Sequence, residues 1–135
     1  MSKVRILLAD DHRNFLKMVE GLLGPTCLIV GSMPDGRSLF QAAMSLKPDV
    51  IVTDISMPTL NGIEAAKLLN EAGCTSKIIF LTVHSDPDFV RTCLATGAFG
   101  YVVKARMTTD LLPAIHEALA GRIFISPPLS HRNHA

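Results

Sequence analysis

Aromatic residues, cysteines and net charge are all scarce in this sequence of 135 residues, which has no tryptophan and a single tyrosine. The net charge of +1 provides neither the basic surface that binds nucleic acid nor a polybasic patch for an acidic membrane. The three cysteines, Cys27, Cys74 and Cys93, have no zinc-motif spacing, and their odd number argues against a disulfide framework. We therefore expect unpaired thiols in a reducing cytoplasm.

A long hydrophobic run is also missing at the amino terminus. The apolar run Ile6 to Ala9 is shorter than the core of a signal peptide and far shorter than a membrane span, so we expect no membrane association. Hydrophobic residues nevertheless make up 48% of the chain and charged residues 19%, which argues against disorder. The length suits one domain, which we place at residues 3–126, with residues 127–135 as a linker or flexible tail.

Short apolar runs alternate with longer amphipathic stretches along the chain. The predicted strands are Val4 to Ala9, Cys27 to Gly31, Val50 to Thr53, Lys77 to Thr82 and Gly100 to Val103. Runs of this kind indicate strands that are covered on both faces, and the stretches between them place apolar residues at helical spacing. The strict alternation predicts an α/β fold, in which five parallel strands form a doubly wound sheet with helices on both faces.

Helix starts are marked by capping signals. Asp35 precedes the second helix, Asn61 and Glu64 have the spacing of a capping box, and Asp86 stands before a proline. Pro113 is expected in the first turn of the last helix, as a misfit that costs a hydrogen bond or delays the start of the helix.

Polar residues stand where the predicted strands end. Asp10 and Asp11 follow the first strand, Asp54 follows the third, Thr82 ends the fourth and Lys104 follows the fifth. Sites in open parallel sheets form beyond the carboxyl ends of the strands, so we expect these side chains to converge. Carboxylates at close range repel unless a cation neutralises them, and an open, oxygen-rich site suits Mg²⁺. The sequence therefore predicts a magnesium site with a lysine beside it.

These residues carry a resemblance to a known family, the receiver domains of bacterial two-component response regulators. The matching segments are Val4 to His12, Asp54 to Gly62, Thr82, and Gly100 to Lys104. Together they extend the similarity from about Lys3 to about Ser126, nearly the whole chain. The resemblance implies a flavodoxin-like (CheY-like) sheet with the strand order 2-1-3-4-5, which is carried over from the family.

The resemblance also implies a role for each matching residue. Asp54 is implied to be the phosphoacceptor, with Asp10, Asp11, Asp54 and the backbone carbonyl of Ser56 around Mg²⁺. The implied partners of the phosphoryl oxygens are Lys104 and the hydroxyl of Thr82.

Two further pairs of residues have expected roles. Thr82 and Tyr101 match the pair of residues that moves when receivers switch. Ser56 and His84 each lie two residues beyond a site residue, where a side chain can flank an attacking water. We therefore expect Ser56 and His84 to tune the lifetime of the phosphorylated state.

The function implied by the resemblance is a phosphorylation-controlled switch that takes its phosphoryl group from a sensor histidine kinase. Finer features, such as Leu81 to Ser85 and Ala118 to Pro127, resemble the NarL/FixJ branch, whose regulators carry a LuxR-type helix-turn-helix output. We expect transcription regulation through an output domain absent from this chain, with no nucleic acid bound by the chain itself. Homodimer formation on phosphorylation is a further expectation.

Alternative functions remain open at this point. A stand-alone receiver would act through protein–protein contacts alone. A phosphohydrolase with an aspartate nucleophile is an alternative of another class, and those enzymes carry a second acid two residues after the nucleophile. Here Ser56 occupies that position, so the general acid is missing and we expect a signalling domain with slow self-dephosphorylation rather than an enzyme.

Overall fold

Six parallel strands form one sheet in the computed structural model, which describes residues 3–127. The strands are β1 (Val4–Ala9), β2 (Cys27–Met33), β3 (Val50–Thr53), β4 (Lys77–Thr82), β5 (Gly100–Val103) and β6 (Phe124–Ile125). Their order in the sheet is β2-β1-β3-β4-β5-β6. The helices are α1 (Arg13–Leu23), α2 (Gly36–Leu46), α3 (Gly62–Glu71), α4 (Pro87–Ala95) and α5 (Met107–Leu119), and a 3₁₀ turn, Lys104–Arg106, joins β5 to α5.

The strand number differs from the expectation of five strands. The predicted order 2-1-3-4-5 is present, but β6 extends the sheet beyond β5, with Phe124 paired to Gly100 and Ile125 to Tyr101. The extra strand has two residues, fewer than the usual strand, and the apolar run around it, Ile123 to Ile125, is too short to predict a strand from the sequence. It forms because the chain turns after α5 at Gly121, whose φ of 79° is easily adopted by glycine, and returns along β5.

The strands alternate their side chains between two apolar cores. Leu7 and Ala9 of β1 belong to a core covered by α2, α3 and α4, whereas Ile6 and Leu8 belong to a core covered by α1 and α5. Successive side chains of a strand point to opposite faces, so a strand buried on both faces is apolar throughout. This arrangement explains the near-continuous apolar runs from which the strands were predicted.

The capping signals at three helix starts are confirmed. The Asp35 carboxylate accepts a hydrogen bond from the Ser38 amide at 2.8 Å. Asn61 and Glu64 form the expected capping box, with reciprocal bonds of 2.8 and 2.9 Å. The fourth helix begins at a proline after Asp86, whose carboxylate accepts the amide of the residue two positions later at 2.8 Å.

The expectation for Pro113 is wrong. Helix α5 begins at Met107, because the 3₁₀ turn leads directly into it, and Pro113 therefore lies in the helix interior. The ring removes the N–H that would bond to the Thr109 carbonyl, and both residues are exposed, so water can replace that bond.

Within residues 3–127, no helix is both long and apolar enough to cross a membrane.

Gly62 permits a close backbone approach beside the loop that follows β3. A Cβ atom at this position would lie 1.9 Å from the carbonyl oxygen of Asp54, and the Gly62 amide donates to the Ile55 carbonyl at 2.6 Å. The start of α3 is thus packed directly against the backbone that carries Asp54. A side chain at position 62 must displace that loop.

Substitution of Gly62 tests this packing. Gly62→Ala should lower the free energy of unfolding by about 3 kcal/mol, because the methyl group overpacks a backbone contact. Gly21→Ala is the matched control, since a Cβ there meets nothing within 4 Å. That exposed helix position should instead gain about 0.5–1 kcal/mol. Urea denaturation measures both, and a Gly62→Ala variant as stable as the parent would contradict the close approach.

Candidate functional site

The strand order brings the predicted site residues to one edge of the sheet. Strands β1 and β3 are neighbours, and both end at this edge, so Asp10 and Asp54 lie side by side. The Asp54 amide donates to the Ala9 carbonyl at 3.0 Å, which continues the pairing of β1 and β3 up to the two acids. Thr82 ends β4, the strand beside β3. The predicted convergence of these residues is confirmed as geometry.

Two buried carboxylates share one ammonium group in this site. The Nζ atom of Lys104 lies 2.7 Å from Asp10 Oδ2 and 3.2 Å from Asp54 Oδ2. Asp10 is only 3% exposed and Asp54 only 5%, so neither carboxylate can rely on bulk water for its solvation. The other oxygen of Asp54 accepts the Ile55 amide at 2.7 Å. Two negative charges facing one positive charge leave the buried cluster with a net negative charge.

Lys104 is held in place by an aromatic ring as well as by the two acids. Its Nζ atom lies 4.2 Å from the ring centre of Phe15 in α1, a cation–π distance. Burial by itself lowers the pKa of Lys104, but the hydrogen bond to Asp10 and the charges of Asp54 and Asp10 outweigh it, and the pKa is raised. Lys104 therefore carries its positive charge throughout the neutral range.

Asp11 and His12 complete a group of four possible metal ligands with Asp10 and Asp54. One ligand atom of each of these four residues lies within 4.8 Å of the others. The Nδ1 atom of His12 is 3.1 Å from Asp10 Oδ1 and 3.1 Å from Asp11 Oδ1. Asp11 is exposed, so the group opens to water on one side, as hydrated Mg²⁺ requires. The carboxylate-rich donor set and its excess negative charge fit a divalent cation.

Ser56 and His84 lie in contact at the rim of this edge. The Ser56 hydroxyl is 3.3 Å from His84 Nε2, and the imidazole stacks on the Phe89 ring with 4.3 Å between the centroids. Ser56 is exposed and His84 half-buried, so both side chains can meet solvent. The loops after β3 and β4 therefore bring into contact the two residues that are expected to tune the lifetime.

Thr82 and Tyr101 are both completely buried, and both are bonded to the backbone of His84. The Thr82 hydroxyl accepts the His84 amide at 3.3 Å, and the Tyr101 hydroxyl donates to the His84 carbonyl at 2.8 Å. Burial, with smaller contributions from nearby Cys93, Asp86 and Asp54, raises the pKa of Tyr101, which stays a hydrogen-bond donor. The tyrosine is thus turned inward, beneath the loop that follows β4.

Sequence reasoning missed two residues of this site. His12 has no role in the site expected from the sequence, and it lies at the N-cap of α1 without a side-chain bond to that helix. Its position directly after two acids was the available signal. Phe15 has no expected role either, and nothing in the local pattern indicates that its ring faces Lys104.

Comparisons with known proteins identify the fold and its relatives. A family model described as "Response regulator receiver domain" matches residues 6–116. The nitrate/nitrite response regulator protein NarL of Escherichia coli (strain K12) is 36% identical over 127 residues, which cover 93% of this chain and 59% of that protein. The transcriptional regulatory protein DegU of Brevibacillus brevis is 33% identical over 132 residues, covering 96% of this chain and 56% of that protein.

A solved structure also belongs to the response regulators that this chain resembles. The LuxR-family two-component response regulator from Aurantimonas sp. SI85-9A1 superposes with a TM-score of 0.91 at 30% identity, over 96% of this chain and 94% of that one. The chain spans less than two thirds of NarL and DegU, at 59% and 56% of their lengths.

The charge imbalance of the site has a measurable consequence for stability. Without divalent cations, Asp54→Asn should raise the free energy of unfolding by about 1 kcal/mol, because Lys104 then faces one carboxylate and a like-charge repulsion disappears. Urea denaturation in the presence of a chelator measures this change.

Asp110→Asn is the matched control. Asp110 is also 3% exposed, but it is paired one-to-one with Arg106 at 2.8 Å. Its neutralisation should lower the free energy of unfolding by about 1–3 kcal/mol, since a balanced pair is broken. Equal destabilisation by the two substitutions would contradict the excess negative charge.

Proposed function

The chain belongs to the response regulator receiver domains of two-component systems, and from that premise we propose that Asp54 accepts a phosphoryl group from a sensor histidine kinase. Receiver domains are signalling domains rather than classical enzymes, and their state depends on phosphorylation. The observation that carries this proposal is the buried Asp54 carboxylate, 3.2 Å from the Lys104 ammonium. The relatives place the chain in the NarL/LuxR branch of the family.

The proposed reaction uses the Asp54 carboxylate as the nucleophile. An oxygen of Asp54 forms a bond to phosphorus while the phosphorus–nitrogen bond of the donor's phosphohistidine breaks. The leaving imidazole nitrogen takes a proton from solvent, and the product is an acyl phosphate on Asp54. The transferring group spreads its charge over three oxygens, so positive groups fixed beside it lower the barrier.

Lys104 is the fixed positive group that the chain itself provides. Its ammonium is already desolvated and oriented by Asp10, at 2.7 Å, before any phosphoryl group arrives. It can therefore turn from Asp54 to a phosphoryl oxygen without leaving Asp10. Thr82, at the end of β4, is proposed to donate its hydroxyl to another phosphoryl oxygen, which is the role that the resemblance implies for it.

Receiver domains bind Mg²⁺ at an acidic pocket, and the acids here suit that ion. Asp10, Asp11 and Asp54 would hold it, with the Ser56 backbone carbonyl as a further proposed ligand. When bound, Mg²⁺ neutralises charge on the phosphoryl oxygens and on the acids. The chain itself uses Lys104 to hold the mutually repelling carboxylates of Asp10 and Asp54 close together, and it leaves Asp11 open to solvent.

The conformational switch is proposed to act through Thr82 and Tyr101. A phosphoryl oxygen would draw the Thr82 hydroxyl with a charge-assisted hydrogen bond of about 1.5–3 kcal/mol. A shift from 1:99 to 99:1 needs about 5.5 kcal/mol, so contacts of Lys104 and Mg²⁺ must contribute. Tyr101 is already buried and bonded to His84. Phosphorylation would therefore stabilise an inward position of Tyr101 that the chain already adopts, rather than create a new one.

The output is proposed to be transcription regulation. NarL and DegU are regulatory proteins longer than this chain, so a DNA-binding domain would lie outside it, and residues 127–135 would be the linker. Residues 128–135 lie outside the described structure. A stand-alone receiver that acts through protein–protein contacts is the alternative, and homodimer formation on phosphorylation is proposed for either case. The phosphohydrolase alternative loses support, because exposed Ser56 stands where such an enzyme needs its general acid.

Phosphoryl transfer can be tested with a matched pair of acids, Asp54 and Asp49, that flank the two ends of β3. Incubation with acetyl phosphate and Mg²⁺ should add one phosphoryl group to the parent chain and none to Asp54→Asn, as measured by intact mass. Asp49→Asn is the control, because Asp49 precedes β3 and is exposed at the opposite edge. Asp49→Asn should be phosphorylated like the parent. Full phosphorylation of Asp54→Asn would overturn the proposed acceptor.

The lifetime of the acyl phosphate tests the contact between Ser56 and His84. Ser56→Ala and His84→Ala each remove a side chain from the rim while Asp54, Lys104 and Asp10 stay in place. The rate of phosphate incorporation should change less than twofold and the dephosphorylation rate about tenfold, a barrier change of about 1.4 kcal/mol. Unchanged dephosphorylation in both variants would show that this rim does not control the attacking water.

A further inference from the structure

A second buried polar cluster lies next to the site, at the beginning of α5. Asp110 is 3% exposed and Ser126 is fully buried, although both are polar. The Ser126 hydroxyl donates to Asp110 Oδ2 at 2.8 Å, and Arg106 donates to the same carboxylate through Nε at 2.8 Å and Nη2 at 3.3 Å. The function proposed above uses none of these three residues.

This cluster fixes the backbone on both sides of Lys104. The residue before it, Val103, donates its amide to the Ser126 hydroxyl at 3.1 Å. Arg106, at the end of the same 3₁₀ turn, is bound to Asp110. Ser126 and Asp110 are bonded to each other, so one connected network encloses the three-residue turn that begins at Lys104.

The 3₁₀ turn depends on contacts from other segments because its own hydrogen bonds stabilise it little. A 3₁₀ turn has poorer hydrogen-bond geometry than an α-helix, and no side chain caps the start of this one. Yet Lys104 must place its ammonium within hydrogen-bond distance of Asp10 and Asp54, and sub-ångström precision matters for such a group. Ser126 supplies support from far along the chain, since its own amide also donates to the Tyr101 carbonyl at 2.9 Å.

We propose that Ser126 and Asp110 are positioning residues for Lys104, and that through Ser126 the segment leaving β6 is coupled to the phosphoryl site. The inference rests on the function proposed above. The coupling is reciprocal: whatever pulls Ser126 away from Asp110 weakens the binding of a phosphoryl group by Lys104, and a phosphoryl group bound by Lys104 strengthens the attachment of Ser126.

The first test compares two buried hydroxyls. Ser126→Ala removes the acceptor of the Val103 amide and the donor to Asp110. Thr96→Val is the matched control, because Thr96 is 4% exposed and its hydroxyl donates to the Cys93 carbonyl at 2.6 Å, before β5 and far from Lys104. With acetyl phosphate and Mg²⁺, the phosphorylation rate should fall about tenfold in Ser126→Ala and less than twofold in Thr96→Val.

A double-mutant cycle separates positioning from general structural damage. In a Lys104→Ala background, Ser126→Ala should have no further effect on the phosphorylation rate, because the group that Ser126 positions is gone. A merely structural role predicts the same tenfold loss in both backgrounds. Asp110→Asn provides a second variant for the same cycle, with the same expected result, should Ser126→Ala fail to fold.

Hydrogen exchange gives a readout that does not depend on phosphorylation. The Val103 amide should exchange at least tenfold faster in Ser126→Ala than in Thr96→Val.

A parent-like phosphorylation rate in Ser126→Ala, or equal losses in the two backgrounds, would overturn the inference while leaving Asp54 as the acceptor. If neither the parent nor Thr96→Val takes up phosphate, the proposed function fails and the positioning role fails with it.

Discussion

One ammonium group shared by two buried carboxylates connects parts of the chain that are far apart in sequence. Asp10 and Asp54 follow the adjacent strands β1 and β3, whereas Lys104 follows β5. Strand β4 lies between β3 and β5 in the sheet. Both acids are almost inaccessible to water, so the ammonium of this lysine replaces part of the solvation that water would give their carboxylates. Because one positive charge cannot balance two negative ones, the same contact leaves the edge prepared for a further cation. The stability of this edge and its chemistry therefore have a common origin.

The surroundings of the lysine follow from this requirement. Phe15 lies against the ammonium from α1, and Ser126 and Asp110 fix the turn that presents it. The Tyr101 hydroxyl is bonded to the His84 carbonyl in the loop that follows β4. A change in the charge on Asp54 therefore acts on a lysine that is connected to the end of the domain. This connectivity offers a physical route from the site to the segment that follows β6.

The sequence was most informative where a single local pattern determines the structure. Four predicted strands have the observed bounds because each is largely buried on both faces and has a polar residue at its end or directly after it, while β2 runs on to Met33. The edge of the sheet at which the site residues lie follows from the strand order, which the resemblance implied. Strand β6, the buried state of Ser126 and the ring of Phe15 depend on contacts between distant segments, which no local pattern encodes. Pro113 lies inside α5 because the preceding turn starts that helix early.

The most direct test of the central claim is to locate the acyl phosphate by residue. Reduction of the phosphorylated chain with borohydride converts an acyl phosphate into an alcohol, and peptide mass spectrometry then identifies the altered position. A single altered aspartate at position 54, absent when Mg²⁺ is withheld, is the result expected from the arrangement of Asp54, Asp10 and Lys104. Modification at Asp10 or Asp11, or at an acid outside this edge, would contradict the account.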